Sequence, residues 1–267
     1  MKPVFFHLPE ALGGMPIPSY GVMMVLGTLL GCLTFSLLVK ASGKDGGKAF
    51  ELLLETILVA MIASKVVGLL FQDPMADISF WERLVKTGGV WYVGFLSGVA
   101  WMLIRARSLG MPTMSVIDHA ACAVPVGHAF GRLGCFLAGC CYGGTCDLPW
   151  AVTFTSEHAA RHSGTPIGVP LHPVQLYEMG GEILLAVGLS WWLMKKSRYP
   201  GETGLLYLIL YALLRFSLEF LREDHRGAFG FVSTSQGIAL MILALAVPAF
   251  TYGLFRRSPF PKAVSEL

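Results

Sequence analysis

The chain has 267 residues, of which 54% are hydrophobic and 14% are charged, whereas ordinary soluble domains have roughly 45–50% and about 25%. This small polar fraction cannot cover a water-soluble globule, and a mean hydropathy of +0.63 indicates that lipid surrounds much of the chain. The net charge of +3 is modest, and the absence of any run of like charges argues against a nucleic-acid partner.

Apolar segments long enough to cross a bilayer, which takes about 20 residues, recur along the chain. They predict an all-α polytopic membrane protein with seven transmembrane helices, at about 20–38, 50–71, 88–104, 114–137, 173–194, 203–221 and 234–255. The connections are short except for the loop 138–172. We expect residues 1–267 to form a single integral membrane domain.

The distribution of lysine and arginine predicts the orientation of these spans. Most of them lie at one set of span ends, among them Lys44, Arg105, Lys195 and Arg256. Because positively charged loops stay in the cytoplasm, these ends define the cytoplasmic side. With an odd number of spans, the N-terminus lies outside, the C-terminus is cytoplasmic, and the long loop faces outward.

The sixth predicted span carries charged side chains where lipid is expected. Tyr211, Arg215, Glu219 and Arg222 are spaced so that they share one face of a helix. A structural ion pair between Arg215 and Glu219 is one interpretation. Since two arginines exceed what one glutamate can neutralise, and charges in a bilayer are costly unless paired, we favour an anionic ligand.

Arg132 lies near the end of the fourth predicted span, with Gly131 before it and Gly134 two residues after it. It follows His128 by four residues and lies on nearly the same helical face as Asp118. An arginine that extends its head group to the membrane interface is one interpretation. The guanidinium fork also suits bidentate binding of phosphate, and we favour this function. Lys65, in the second span, either joins such a cationic pocket or extends to the interface, and the pocket is again favoured.

Four cysteines, Cys135, Cys140, Cys141 and Cys146, lie at the outer end of the fourth span and in the loop that follows. Their spacing matches no usual zinc motif. An outward-facing loop permits disulfides. A structural disulfide, a thiol nucleophile and a metal site remain open, and they are favoured in that order.

Three segments together resemble the motifs of the prolipoprotein diacylglyceryl transferase family. Residues 131–143 read GRLGCFLAGCCYG, residues 172–178 read HPVQLYE, and the stripe 211–222 has the family's spacing of Tyr, Arg, Glu and Arg. Further matching positions are Ser19, Tyr20, Gly21, Asp118, Pro125, Gly127, Ser233 and Gln236. The matches extend from about residue 20 to residue 236 and cover the predicted core.

The resemblance implies an enzyme that transfers the diacylglyceryl group of phosphatidylglycerol to the thiol of a lipobox cysteine in a prolipoprotein. The reaction releases glycerol phosphate and forms a thioether. The resemblance also implies a multi-pass protein of the bacterial cytoplasmic (inner) membrane with seven spans. The expected partners are therefore the phospholipid and the prolipoprotein, and no cofactor or metal is expected.

Such a reaction requires cations where charge develops on the phosphate and a means of deprotonating the thiol. The residues expected to act in catalysis are Tyr20, His128, Arg132, Cys140, Tyr211, Arg215 and Glu219. Those expected to bind the phosphate of phosphatidylglycerol are Lys65, Arg132, Gly143, Arg215 and Arg222. The motif residues with an expected structural role are Asp118, His172, Gln175, Tyr177 and Glu178.

The chain departs from the family pattern mainly at its acid/base positions. Val93 stands where the family has a histidine, Cys140 replaces a glutamate, and Lys65 replaces an arginine. The signature's asparagines are replaced by Cys135 and Ala138. The phosphate-binding part is thus mostly retained, whereas the route for proton transfer is altered.

Two residues are candidates to replace the missing proton-transfer groups. His128, one turn before Arg132, is either a substitute base or a packed membrane histidine. Cys140 or Cys141 is a candidate nucleophile for a two-step transfer through a lipidated cysteine. Two alternative functions follow: a divergent member that uses a similar phospholipid with a different acceptor, or a non-catalytic lipid-binding membrane protein.

Overall fold

The structure is a computed structural model that describes residues 2–7, 9–10, 14–71, 89–223, 228–229 and 232–256. The chain groups into two compact units. One comprises residues 1–34 together with 117–267, and the other comprises residues 35–116. That residues 1–267 form a single integral membrane domain stays a prediction.

The described residues are mostly helical, as the sequence predicts. Their helices are α1 (Ser19–Ala41), α2 (Gly46–Phe71), α3 (Trp91–Ser108), α4 (Thr113–Ala138), α5 (Glu157–Ser163), α6 (Val174–Lys195), α7 (Glu202–Glu219) and α8 (Thr234–Arg256). Three short antiparallel strand pairs accompany them: β1 (Val4–His7) with β2 (Pro16–Pro18), β3 (Val152–Thr153) with β4 (Pro170–Leu171), and β5 (Ala228–Phe229) with β6 (Val232–Ser233). All helices except α5 lie at the predicted spans.

Four of the described helices, α1, α2, α4 and α8, are long and apolar enough to cross a membrane. The helices α3, α6 and α7 also coincide with predicted spans, but their sequences are more polar. For example, α6 contains Glu178 and Glu182, and α7 contains Arg215 between two glutamates. The beginning of the third predicted span, residue 88, lies outside the described residues.

The long connection 138–172 is itself folded. It contains β3, β4 and the short helix α5, whose ends are both capped. The Ser156 side chain accepts a hydrogen bond from the Ala159 backbone N–H, and Gly164 takes the left-handed conformation (φ 66°) that ends the helix. These caps satisfy the backbone groups that a seven-residue helix leaves unpaired at its ends.

Small residues bring α1 and α4 close together. A Cβ atom on Gly27 would lie 2.8 Å from the backbone oxygen of Gly127, and one on Gly134 would lie 3.1 Å from Cδ2 of Tyr20. Without a hydrophobic force between helices in lipid, close packing of this kind drives their association. It also holds Tyr20 beside the motif 131–143.

Asp118 fixes the beginning of α7 from within α4. Its fully buried carboxylate accepts hydrogen bonds from the backbone N–H groups of Gly201 (2.7 Å) and Gly204 (2.9 Å). These are among the N–H groups that a helix leaves unpaired at its beginning. The predicted structural role of Asp118 thus has a geometric basis, since it holds α7 and its arginine stripe against α4.

In the unit 35–116, α2 and α3 pack through small side chains, and a Cβ on Gly98 would lie 3.1 Å from Cβ of Ala60. Arg105 on α3 pairs with two glutamates of α2, at 2.8 Å from Glu55 and 3.1 Å from Glu51. Both glutamates lie near the beginning of α2, close in sequence to Lys44, at the end that the distribution of lysine and arginine predicts to be cytoplasmic.

Candidate active site

Four charged or titratable side chains of α4 and α6 form the histidine–carboxylate cluster: His128, Arg132, Glu178 and Glu182. Each helix contributes two of them, one turn apart, so both pairs face the same space. Arg132 Nε donates to His128 Nε2 at 3.2 Å, and Arg132 Nη2 lies 3.1 Å from Glu178 Oε1. His128 Nδ1 lies 2.6 Å from Glu182 Oε1.

The partners in this cluster fix the orientation of the His128 ring. Because Arg132 has only donors, the Nε2 atom that it contacts acts as an acceptor, and this atom also lies 3.7 Å from Glu178 Oε1. The other ring nitrogen, Nδ1, faces Glu182. The side chains of Glu178 and Glu182 are 0% exposed, and buried carboxylates of this kind need a cationic or donor partner. Arg132 supplies positive charge beside Glu178, but the four carboxylate oxygens of Glu178 and Glu182 have no hydrogen-bond partner among the described residues.

A second group, the arginine stripe, comprises Arg215 and Glu219 on α7 and Arg222, which lies three residues after the end of α7. Arg215 Nη2 lies 2.8 Å from Glu219 Oε2, and Arg222 Nε lies 4.0 Å from the same oxygen. The ion pair considered from the sequence is therefore present. Two guanidinium groups thus approach this one carboxylate. Arg215 Nη1 is buried and has no hydrogen-bond partner among the described residues, so the stripe has capacity for an anion.

The beginning of α8 completes this second group. Ser233 and Gln236 form a capping box, in which Gln236 N–H donates to Ser233 Oγ (3.2 Å) and Ser233 N–H donates to Gln236 Oε1 (3.1 Å). Ser233 Oγ also donates to Glu219 Oε1 at 2.7 Å, and Arg215 Nη2 donates to Ser235 Oγ at 3.2 Å. The positive end of the α8 dipole thus adds to the guanidinium charge.

Tyr211 connects the two groups. Its ring packs edge-on against His128, with centroids 5.5 Å apart, and stacks on Tyr207 at 5.7 Å. It precedes Arg215 by one turn and lies close enough to both Arg132 and Arg215 to interact with them electrostatically. The residues predicted for catalysis on α4 and α7 are therefore brought together.

The motif 172–178 supports the loop that follows α4. Gly143 pairs with Arg222 in an isolated antiparallel bridge, and its N–H donates to the His172 oxygen at 3.2 Å. A Cβ on Gly143 would lie 2.7 Å from that oxygen, so only glycine fits. Because this N–H is already paired, binding of phosphate by Gly143 stays a prediction.

The other residues of this motif also make contacts that hold the loop. Gln175 Nε2 donates to the backbone oxygen of Cys140 at 2.7 Å. The hydroxyl of Tyr177 accepts from Trp150 Nε1 at 2.7 Å and lies 3.4 Å from His172 Nδ1. Their predicted role as structural motif residues is consistent with these contacts.

The cysteines do not form the disulfide that the sequence favours. No disulfide links the six cysteines, all of which lie in described residues. Instead, the Sγ atoms of Cys135, Cys140 and Cys141 lie within 4.8 Å of one another. The hydrogen bond with Cys135 lowers the pKa of the Cys140 thiol, but the hydrogen bond with Cys141 and burial raise it, with a net rise to about 11. Cys140 is therefore a protonated thiol at neutral pH.

Tyr20 lies beside these thiols at the beginning of α1. It lines a cavity of about 250 Å³ together with Pro18, Ala138 and Cys140. It is also close enough to the three clustered thiols and to Arg132 to interact with them electrostatically. This places Tyr20, the motif 131–143 and the cysteines around one space.

Two predicted positions belong to the other compact unit. Lys65 lies on α2 and Val93 on α3, so the part of Lys65 in a phosphate site stays a prediction. Sequence reasoning missed Glu182, although a glutamate inside a predicted span is a signal for function. It also missed Tyr207 and Ser235, for which the sequence carries no comparable signal.

Comparisons with known proteins agree with the motif resemblance. The family described as prolipoprotein diacylglyceryl transferase matches residues 3–252. A phosphatidylglycerol–prolipoprotein diacylglyceryl transferase of Clostridium tetani is 31% identical over 96% of this chain and 100% of its own length. Proteins with the same description from Bordetella avium and Vibrio vulnificus are each 32% identical, over 94% of this chain and 93% and 92% of their own lengths.

Proposed function

Because this chain belongs to the prolipoprotein diacylglyceryl transferase family, we propose that it transfers the diacylglyceryl group of phosphatidylglycerol to a lipobox cysteine of a prolipoprotein. The products are a thioether-linked lipoprotein and glycerol phosphate. One observation carries this proposal: the buried guanidinium of Arg215, whose Nη1 has no hydrogen-bond partner among the described residues, lies within the matched residues 3–252. A buried guanidinium with an unused donor suits a lipid phosphate.

The proposed setting is the bacterial cytoplasmic membrane. The seven long helices, α1 to α4 and α6 to α8, cross it, with the N-terminus outside and the C-terminus in the cytoplasm. Four apolar helices and the distribution of lysine and arginine support this arrangement. The connection 138–172 then lies on the outer side, where the prolipoprotein presents its cysteine.

In the proposed mechanism, Arg215 and Arg132 bind the phosphate of the lipid. The C–O bond between the glyceryl carbon and the phosphate breaks, and its electron pair stays on the phosphate oxygen. Donors already in position for this charge lower the barrier. When Arg132 turns to the phosphate, His128 Nε2 is released and can accept the proton of the attacking thiol.

A second candidate function is transfer from a similar phospholipid to an acceptor other than a lipobox cysteine. The substitutions at the proton-transfer positions favour it. The family's histidine is Val93 and its glutamate is Cys140, whereas the arginine stripe keeps its charge. A chain that retains the lipid-binding residues and alters the proton-transfer residues fits a similar donor with another acceptor. Release of glycerol phosphate without modification of a lipobox peptide would favour this candidate.

The test is a transfer assay with purified protein, phosphatidylglycerol and a lipobox peptide. We expect the peptide to gain the mass of a diacylglyceryl group and glycerol phosphate to appear in equal amount. Arg132→Ala and Arg215→Ala should each slow the appearance of both products about 10²–10³-fold. Arg161→Ala is the matched control, because Arg161 pairs with Glu157 on the exposed helix α5. Folded protein that binds the lipid but forms neither product would overturn the proposal.

A further inference from the structure

The three clustered thiols are gathered by the way α4 ends. Gly139 takes a left-handed conformation (φ 82°) after the helix, and the backbone N–H groups of Gly139 and Cys140 both donate to the Cys135 oxygen, at 2.9 Å and 3.0 Å. Two residues on, Cys141 is again left-handed (φ 62°). The chain thus folds back over its own last turn, and this brings the three Sγ atoms within 4.8 Å of one another.

This turn is held in place by side chains from other segments. The buried Thr165 hydroxyl donates to the Gly139 oxygen at 2.6 Å, and Gln175 Nε2 donates to the Cys140 oxygen at 2.7 Å. Cys141 is the only residue other than glycine with positive φ among the described residues. Such a conformation is unfavourable for a residue with a Cβ atom and persists where the surroundings enforce it, often at functional sites.

The arrangement fits a thiophilic metal ion. Each Zn–S bond is about 2.3 Å long and the geometry is tetrahedral, so sulfurs on one zinc ion lie about 3.8 Å apart. The three Sγ atoms need only a small side-chain adjustment to reach that separation. Three thiolates on Zn²⁺ leave one negative charge, and Arg132 lies close enough to Cys135 and Cys141 to interact with it electrostatically.

We propose that Cys135, Cys140 and Cys141 bind Zn²⁺ as three thiolates, and that the fourth position of the ion binds the acceptor thiol. The second part rests on the proposed transferase function. Cys140 lines the cavity that Tyr20 also borders, so an incoming thiol has access to this position. Catalytic zinc sites commonly have three protein ligands and one open position.

This site would assist the deprotonation for which the family uses residues that are Val93 and Cys140 here. Zinc would lower the pKa of the bound acceptor thiol, and its proton would pass to His128 Nε2, the acceptor in the proposed mechanism. The sulfur electron pair of the acceptor would then form the C–S bond at the glyceryl carbon. The C–O bond to the phosphate breaks, and glycerol phosphate leaves with that electron pair.

The first measurement is zinc binding without lipid or peptide. We expect one zinc ion per chain by elemental analysis, and a thiolate-to-metal absorption band when Co²⁺ replaces zinc. Cys135→Ser and Cys141→Gly should weaken zinc binding at least about tenfold. Cys141→Gly is the more informative variant, since glycine relieves the left-handed backbone and preserves the fold.

Cys146→Ser is the matched control, because Cys146 lies in the same loop but outside the three-thiol cluster. Its zinc content should equal that of the unaltered chain. Zinc binding that persists in Cys141→Gly, or a failure of the folded protein to bind zinc, would overturn the site.

The transfer assay separates this inference from the proposed function. Removal of zinc by a chelator should abolish transfer, and Zn²⁺ but not Mg²⁺ should restore it. Full transfer by zinc-free protein would overturn the role of the metal and leave the transferase function intact. Stoichiometric zinc without any transfer would support the metal site and contradict the proposed function.

Discussion

Two of the arginine–carboxylate groups among the described residues differ in burial and in how fully their guanidinium groups are paired. In the unit 35–116, Arg105 meets two glutamates, and its side chain is 29% exposed. Its guanidinium donates to Glu51, Glu55 and Ser108. In the other unit, Arg215 and Arg222 share Glu219, and these three side chains are 11%, 3% and 8% exposed.

The difference separates a structural ion pair from a candidate binding site. Around Arg105, two carboxylates face one guanidinium, and water can solvate the negative charge that Arg105 does not neutralise. Around Glu219 the charged groups are buried, where solvation is poor and an unpaired polar atom of a charged group is costly, and Arg215 Nη1 has no hydrogen-bond partner among the described residues. An anionic ligand at the arginine stripe would offset that cost, whereas the Arg105 group needs none.

The largest expected effect is on the arginine stripe. Arg215→Ala should lower the rate of diacylglyceryl transfer about 10²–10³-fold, the usual loss when one donor to a developing negative charge is removed. Arg215→Lys should recover only part of the rate, because an ammonium cannot replace the planar fork. The measurement is the transfer rate with phosphatidylglycerol and a lipobox peptide. A rate for Arg215→Ala within a few-fold of the unaltered chain would remove the stripe from the site.

A somewhat smaller effect is expected at the histidine–carboxylate cluster. His128→Gln keeps a polar side chain between Arg132 and Glu182 but removes the proton acceptor. We expect transfer to fall about a hundredfold, with little change in lipid binding. Tyr207→Phe is a nearby control, since it keeps the ring stacked on Tyr211. If His128→Gln keeps its full rate, His128 is a packed membrane histidine, as the sequence also allowed.

Much of the helical architecture and part of the site could be predicted from the sequence. Hydropathy located the long helices, and residue spacing placed Tyr211, Arg215 and Glu219 on one face of α7, whereas Arg222 lies beyond the end of that helix and pairs with Gly143. The contacts between helices could not be predicted in this way. The pairing of His128 with Glu182 depends on how α4 packs on α6, and a one-dimensional pattern does not encode it.

The cysteine cluster is a second arrangement that the sequence pattern could not predict. Its spacing resembles no zinc motif because the ligands come from a helix end and a turn with two left-handed residues, Gly139 and Cys141. Neither conformation follows from the sequence of cysteines. The disulfide interpretation failed for that reason: it used the predicted compartment and not the local backbone geometry.

The packing that holds the buried region together gives a third prediction, on stability. Gly27→Ala would place a Cβ 2.8 Å from the backbone oxygen of Gly127 and 2.7 Å from Cβ of Phe130. Neither atom can move away easily, so we expect a loss of about 1–3 kcal/mol. Gly31→Ala is the matched control one turn along α1, where the nearest atom would be 3.4 Å away. Thermal unfolding in detergent measures both, and equal melting temperatures would contradict the close packing of α1 and α4.

The smallest effect on transfer and on stability is expected for the partly exposed ion pairs of Arg105. Arg105→Ala removes a guanidinium from between Glu51 and Glu55, and water can then solvate both carboxylates, so the melting temperature should change little. The transfer rate should stay within about twofold of that of the unaltered chain, well outside the range expected for Arg215→Ala. Measuring both variants in the same assay tests the comparison directly. If Arg105→Ala abolishes transfer while the protein stays folded, guanidinium pairing and burial do not distinguish structural from functional arginines here, and the assignment of the arginine stripe loses its physical basis.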